Sequence, residues 1–121
     1  MDSHGGWIAS SVDLMRFLVR FDGFNSKSDL ISPASFQKMT QGSTPNPRYG
    51  MGWAMNGRNY YHNGALPGTG AMIVRAGNRG DFSWIILFNK RWVNAADSLM
   101  WNIVNGITSW PAASVDYFNY M

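Results

Sequence analysis

Turn signals cut the middle of this chain at short intervals. Asn56-Gly57, the Gly/Pro-broken stretch 64–70 and Gly77-Asn78-Arg79-Gly80 leave only short segments between them. Segments of that length are strands, and turns that tight join antiparallel neighbours. Asn-Gly in particular is the strongest short hairpin signal. Residues 49–89 are therefore expected to form an antiparallel meander. Residues 49–55 alternate, with Tyr49, Met51, Trp53 and Met55 on a bulky face and Gly50, Gly52 and Ala54 on a bare one. Residues 58–63 return as the second strand, 71–75 make the third, and 82–89 the fourth. The unbroken apolar run from Trp84 to Phe88 predicts that the fourth strand is covered on both faces and lies inside its sheet.

On either side of the meander the apolar period becomes helical. Ser10 reads as the N-cap of a first helix, with Asp13 reaching back to it. Leu14, Met15, Leu18 and Phe21 follow at helical spacing, and Gly23 reads as the C-terminal cap. Ser32-Pro33 opens a second helix that runs to about Thr40. Asn94 is expected to cap a third, with Ala96, Leu99, Met100, Ile103, Val104 and Ile107 as its apolar face and Pro111 at its end. The aromatic tail 114–121 has no predicted place. The fold class is α+β, an antiparallel β-meander with helices, and residues 1–121 form a single domain. One helix cannot cover both faces of such a sheet. A second cover and an edge strand are expected from outside this chain, leaving an apolar surface where they dock.

Composition narrows the function. Hydrophobic residues make up 45%, with six Trp and seven Phe, which is a globular balance. Charged residues are 14% and no glutamate is present, so any carboxylate chemistry falls to seven Asp. The net charge is +3, but Lys and Arg are scattered from Arg16 to Arg91 and form no phosphate-tracking stripe. No nucleic-acid partner is expected. The absence of Cys excludes disulfides, thiolate catalysis and thiolate metal ligands. The two histidines, His4 and His62, are far apart in the chain, and no metal or other cofactor is expected. The first six residues are polar and turn-like, with no signal-peptide pattern, and the longest apolar run is far too short to span a bilayer.

The segment with most chemical content is Tyr60-Tyr61-His62-Asn63-Gly64-Ala65-Leu66-Pro67-Gly68, a short strand ending in a His-x-Gly step. A glycine there lets a ligand or another backbone approach closely. Its flanks are Gly5-Gly6-Trp7-Ile8-Ala9-Ser10-Ser11-Val12-Asp13-Leu14-Met15-Arg16-Phe17, then Leu30-Ile31-Ser32-Pro33 through Met39-Thr40, then Tyr49-Gly50-Met51-Gly52-Trp53. Two further strands ending near Asn89 and a C-terminal helix follow. In that order the chain resembles the C-terminal part of the serine β-lactamase/penicillin-binding-protein family, in the esterase and class C-like branch with His in place of Lys. The resemblance covers most of residues 5–108 and rests on the order and spacing of the pieces.

The resemblance implies acyl-transfer hydrolysis of a β-lactam, peptide or ester, in a periplasmic or secreted enzyme. By it, His62 handles protons or charge, Asn63 hydrogen-bonds the substrate, Gly64 lets the strand approach the acyl group, and the Ala65 N–H is one of two oxyanion donors. The family's Ser-x-x-Lys and Tyr-x-Asn motifs have no convincing counterpart. Ser35-Phe36-Gln37-Lys38 fits the first only as a bare pattern on an expected surface helix, and Tyr117-Phe118-Asn119 fits the second on the wrong side of His62. Arg79-Gly80-Asp81 reads as a hairpin turn rather than an adhesion tripeptide, and His4 as part of a lead-in loop. The expectation is a hydrolase segment that is inactive alone, whose partner is the N-terminal portion of the same hydrolase or a second copy, and whose substrate is a small acyl compound. Two alternatives stand beside it. One is a stand-alone non-catalytic binding module derived from that fold, with His62 as an ordinary structural histidine. The other is a small enzyme using Ser35 and Lys38.

Overall fold

The computed structural model describes residues 6–78 and 80–110. The readings made for His4, Arg79, Pro111, Tyr117-Phe118-Asn119 and the tail 114–121 lie outside the described residues. Two short helices come first, α1 (Ser11–Leu18) and α2 (Pro33–Met39). Four strands follow, β1 (Ala54–Asn56), β2 (Asn59–Leu66), β3 (Thr69–Ala76) and β4 (Phe82–Phe88), and then α3 (Val93–Gly106). The strands form one open antiparallel sheet in chain order, β1-β2-β3-β4. The fold class is α+β.

The turns explain the topology. Asn56 pairs with Asn59, so Gly57-Arg58 is the two-residue loop, one position later than the Asn-Gly reading places it. Gly57 stands at φ +62 in the first central position, where a primed hairpin turn needs positive φ. Leu66 pairs with Thr69, and Pro67-Gly68 closes that hairpin with Gly68 at φ +83. Pro followed by a left-handed Gly is the signature of a type II turn. The turn therefore uses only two residues, and the stretch 64–70, expected as a loop, is mostly strand.

Three further expectations are corrected. Residues 49–55 are not a continuous strand. β1 holds only Ala54–Asn56, and Tyr49 meets Ala54 in an isolated bridge. The glycines between them serve a turn: a Cβ on Gly50 would collide with the Met39 carbonyl oxygen, and the Gly50 N–H donates to the Trp53 carbonyl. The alternation in the sequence was therefore not strand periodicity. β4 is not interior either; it ends the strand order, and β3 is the most buried strand. Its apolar run is explained by α1, which packs beside β4, and by the core that α3 helps to form on one face. Finally, the helix ends differ. The Ser10–Asp13 capping box forms, with the Asp13 N–H donating to Ser10 Oγ at 3.1 Å, but α1 stops at Leu18. Tighter i+3 turns from Arg20 and Phe21 then carry the chain on to Gly23. α3 is capped by Trp92 without a side-chain bond, so Asn94 lies inside the helix, which ends at Gly106.

The core is one-sided. Met72, Val74, Ala76, Trp84 and Val104 are buried together, with Tyr61, Phe82, Ile86, Met100 and Trp101 packed around them. Strand parity places these residues on the sheet face under α3. Trp101 meets Trp84 edge-on, with centroids 6.1 Å apart. Only Ala96 and Val104 of the expected apolar helix face are buried, while Leu99, Ile103 and Ile107 remain exposed.

The opposite face is held by a cation. Arg75 is 5% exposed, although it sits in a strand of small and apolar residues. Its Nε donates to the Asp22 carbonyl at 2.7 Å and its Nη1 to the Arg58 carbonyl at 2.9 Å. Its guanidinium lies 3.9 Å over the Phe24 ring and 5.1 Å from that of Tyr60. Phe36 of α2 packs edge-on to Tyr60. The segment after α1, together with α2, thus supplies the cover expected from outside the chain. Replacing Arg75 by Met keeps volume but leaves the buried Asp22 carbonyl without its donor and the Arg58 carbonyl with only the Gly77 N–H. A loss of about 2–5 kcal/mol in urea unfolding is expected, and a change below about 0.5 kcal/mol would show that the cation is dispensable.

Asp22 is 1% exposed, and burial raises its carboxyl above the ordinary 3.8. The Phe24 N–H bonded to its Oδ1 opposes the rise, nearby Asp29 adds to it, and Arg75 opposes it. The folded state therefore holds this proton more tightly than the unfolded chain. Its contribution to stability is full below the unfolded value and is lost as pH rises through the folded one. Asp22→Asn keeps an acceptor for Phe24 but carries no charge. Its stability relative to wild type is expected to be higher at pH 7 than at about pH 4. Parallel urea midpoints at the two pH values would contradict this.

Candidate active site

His62 stands midway along β2 with its side chain on the face that also carries Tyr60 and Gly64. Its Nε2 lies 2.9 Å from the Tyr49 hydroxyl, with the rings edge-on at 6.1 Å. Tyr49 does not come from a neighbouring strand but from the loop after α2. That loop fixes it at both backbone groups: its N–H donates to the Asn46 carbonyl, and its carbonyl accepts from the Ser43 N–H. Gly50 and Met51 then hold the loop to the end of α2 through Met39. Both members of the dyad are exposed at the surface. Sequence reading singled out His62 and missed Tyr49 as its partner, because the contact depends on how the loop 41–53 folds.

β2 has a free edge at this point. β1 pairs with Asn59, Tyr60 and Tyr61 and reaches no further. In the tight hairpin with β3, Tyr60, His62, Gly64 and Leu66 turn their backbone groups toward β3. Asn63 and Ala65 therefore point their N–H and carbonyl groups away from the sheet, where no strand of the described residues lies. The Ala65 N–H is thus an available donor on the free edge, three residues or about 10 Å along the strand from His62. A Cβ on Gly64 would meet nothing within 4 Å. Next to it a cleft of about 760 Å³ opens on the His62 face, lined by Trp7, Ile8, Leu14, Leu87 and Phe88. Trp7 and Ile8 are 86% and 99% exposed.

Strand alternation separates the four expected site residues. His62 and Gly64 face one side of the sheet, while Asn63 and Ala65 face α3. The Asn63 side chain lies with Tyr61, Asn94 and Trp101 and is not beside the His62 imidazole. The four residues share a strand rather than a single pocket, and only Asn63 and Ala65 present backbone groups at its free edge.

No hydrogen bond joins Ser35 to Lys38 among the described residues. Ser35 Oγ lies 2.9 Å from Ser32 Oγ, inside the cap of α2, and both Ser35 and Lys38 are exposed. Among the described residues no group of three His, Cys, Asp or Glu gathers to hold a metal, and no helix is long and apolar enough to cross a membrane. The chain matches no family model, no curated protein and no solved structure.

A Tyr49 hydroxyl that donates to Nε2 requires the neutral imidazole to carry its proton on Nδ1, whereas an accepting hydroxyl requires it on Nε2. Nitrogen spectra of the His62 ring are expected to show the Nδ1–H tautomer in the unprotonated protein and a shift toward Nε2–H in Tyr49→Phe. Identical tautomer populations in the two proteins would remove Tyr49 from the site.

Proposed function

We propose that this chain is the C-terminal segment of a β-lactamase-like serine hydrolase and supplies half of an acyl-transfer site. The observation that carries the reading is the free edge of β2, where an unpaired Ala65 N–H lies three residues along the strand from a histidine bonded to a tyrosine hydroxyl. Acyl transfer needs donors aimed at a developing oxyanion and a group that handles a proton. Ala65 offers the first and the His62–Tyr49 dyad the second. The open space over Gly64 leaves room for an acyl group or for the segment that brings the nucleophile. The nucleophile, its base and the second oxyanion donor belong to the N-terminal portion.

A partner has somewhere to dock. Trp7, Ile8, Phe17 and Leu87 are exposed near the same cleft or on the elements around it. Exposed apolar area of this kind marks interaction surfaces. The substrate is a small acyl compound, a β-lactam, peptide or ester.

The isolated chain is expected to give no turnover of a chromogenic cephalosporin or of p-nitrophenyl esters above a heat-denatured control. Co-expression with the polypeptide encoded immediately upstream is expected to give a complex with measurable turnover. His62→Ala is then expected to lower the rate about 10²-fold, the usual contribution of a positioned acid–base group. Turnover by the isolated chain that is lost in Ser35→Ala would overturn the proposal, as would a complex indifferent to His62→Ala.

A further inference from the structure

Asparagine is depleted in strands, yet three stand together on one face at the start of this sheet. Asn56 and Asn59 are a cross-strand pair, and Asn63 follows on the same face of β2. α3 crosses this face over the buried core and meets β2 near Tyr61, but leaves a gap toward β1. Between them lies a groove of about 640 Å³. That size suits a small ligand.

The lining is chemically specific. From the strands come Asn56, Asn63 and the ring of Tyr61; from α3 come Asn94, Asp97 and Trp101 at helical spacing. The side chains of Asn56, Asn63, Asn94 and Asp97 have no hydrogen-bond partner among the described residues. Trp101 is held edge-on against Trp84, which fixes the indole in place. No Lys or Arg lines the groove, and Asp97 repels anions, so phosphate ligands are disfavoured. A purely apolar ligand would strip water from the amides and leave them unpaired. Each amide offers two donors and an acceptor without charge. A ligand that matches carries adjacent hydroxyls, which donate and accept, and apolar C–H faces that lie against aromatic rings.

We propose that this groove binds a neutral oligosaccharide, with a pyranose ring against Tyr61 or Trp101 and its hydroxyls bonded by Asn56, Asn63, Asn94 and Asp97. The groove lies on the opposite face of β2 from His62 and does not depend on the hydrolase reading.

The test is titration of the full chain with chitotriose, cellotriose and maltotriose, followed by tryptophan fluorescence and by side-chain amide spectra. Saturable binding of at least one sugar is expected, with shifts at Asn56, Asn63 and Asn94. Asn63→Ala and Asn94→Ala each remove an exposed side chain and are expected to weaken binding about fivefold, while His62→Ala leaves it unchanged. No saturation by any of the three sugars at their solubility limits overturns the proposal. So does binding that survives both asparagine substitutions. Amide shifts that follow protein concentration rather than sugar would assign the groove to a second copy of the chain and overturn it as well.

Discussion

Arg75 is the contact on which the rest of the arrangement depends. Its guanidinium ties the end of β3 to the carbonyl of Asp22, 53 residues earlier, and to the β1–β2 turn through Arg58. Without it the segment after α1 has few polar ties to the sheet. Phe24, Phe36 and Tyr60 ring the cation, so apolar burial and charge are satisfied together. Guanidinium suits this role because its planar fork reaches two carbonyls at once while its faces remain free to stack. Burial lowers the Arg75 pKa, yet arginine begins so high that the charge persists at neutral pH.

The hub also places the candidate site. Phe36 of α2 rests on Tyr60 beside Arg75, and the loop leaving α2 carries Tyr49 to His62. A second polar knot fixes the far end of the sheet. The Asn78 side chain accepts from the Arg58 N–H and donates to the Asn56 carbonyl, while the Asn78 N–H donates to Asn59. The β1–β2 turn and the connection from β3 to β4 are thereby joined side to side, at the end of β2 where β1 pairs with it.

What could be read from the sequence was local. The Ser10–Asp13 box and the Ser32-Pro33 start are set by residues three apart or adjacent, and both form as expected. The meander follows from turn chemistry that is equally local. What escaped was decided by distant partners. The glycines at 50 and 52 look like the bare face of a strand, but Gly50 is small because the Met39 carbonyl passes over it. The apolar run of β4 looks central, but α1 packs beside it at the end of the sheet. An arginine at the end of an apolar strand gives no hint of a carbonyl 53 residues away. Tyr49 was legible as a residue and not as a partner.

The His-x-Gly segment shows the same limit at the scale of a single motif. Along the chain, His62, Asn63, Gly64 and Ala65 form one word. A pleated strand divides them, sending the side chains of His62 and Gly64 to one face and those of Asn63 and Ala65 to the other, with only the Asn63 and Ala65 backbone groups on the free edge. Any chemistry that uses all four must therefore take side chains from one face and N–H groups from the edge. The side chain of Asn63 is left to the opposite groove, where α3 supplies Asn94 and Trp101. One short strand thus presents two different surfaces: a histidine bonded to a tyrosine hydroxyl on one side, and an asparagine facing a row of uncharged amides on the other.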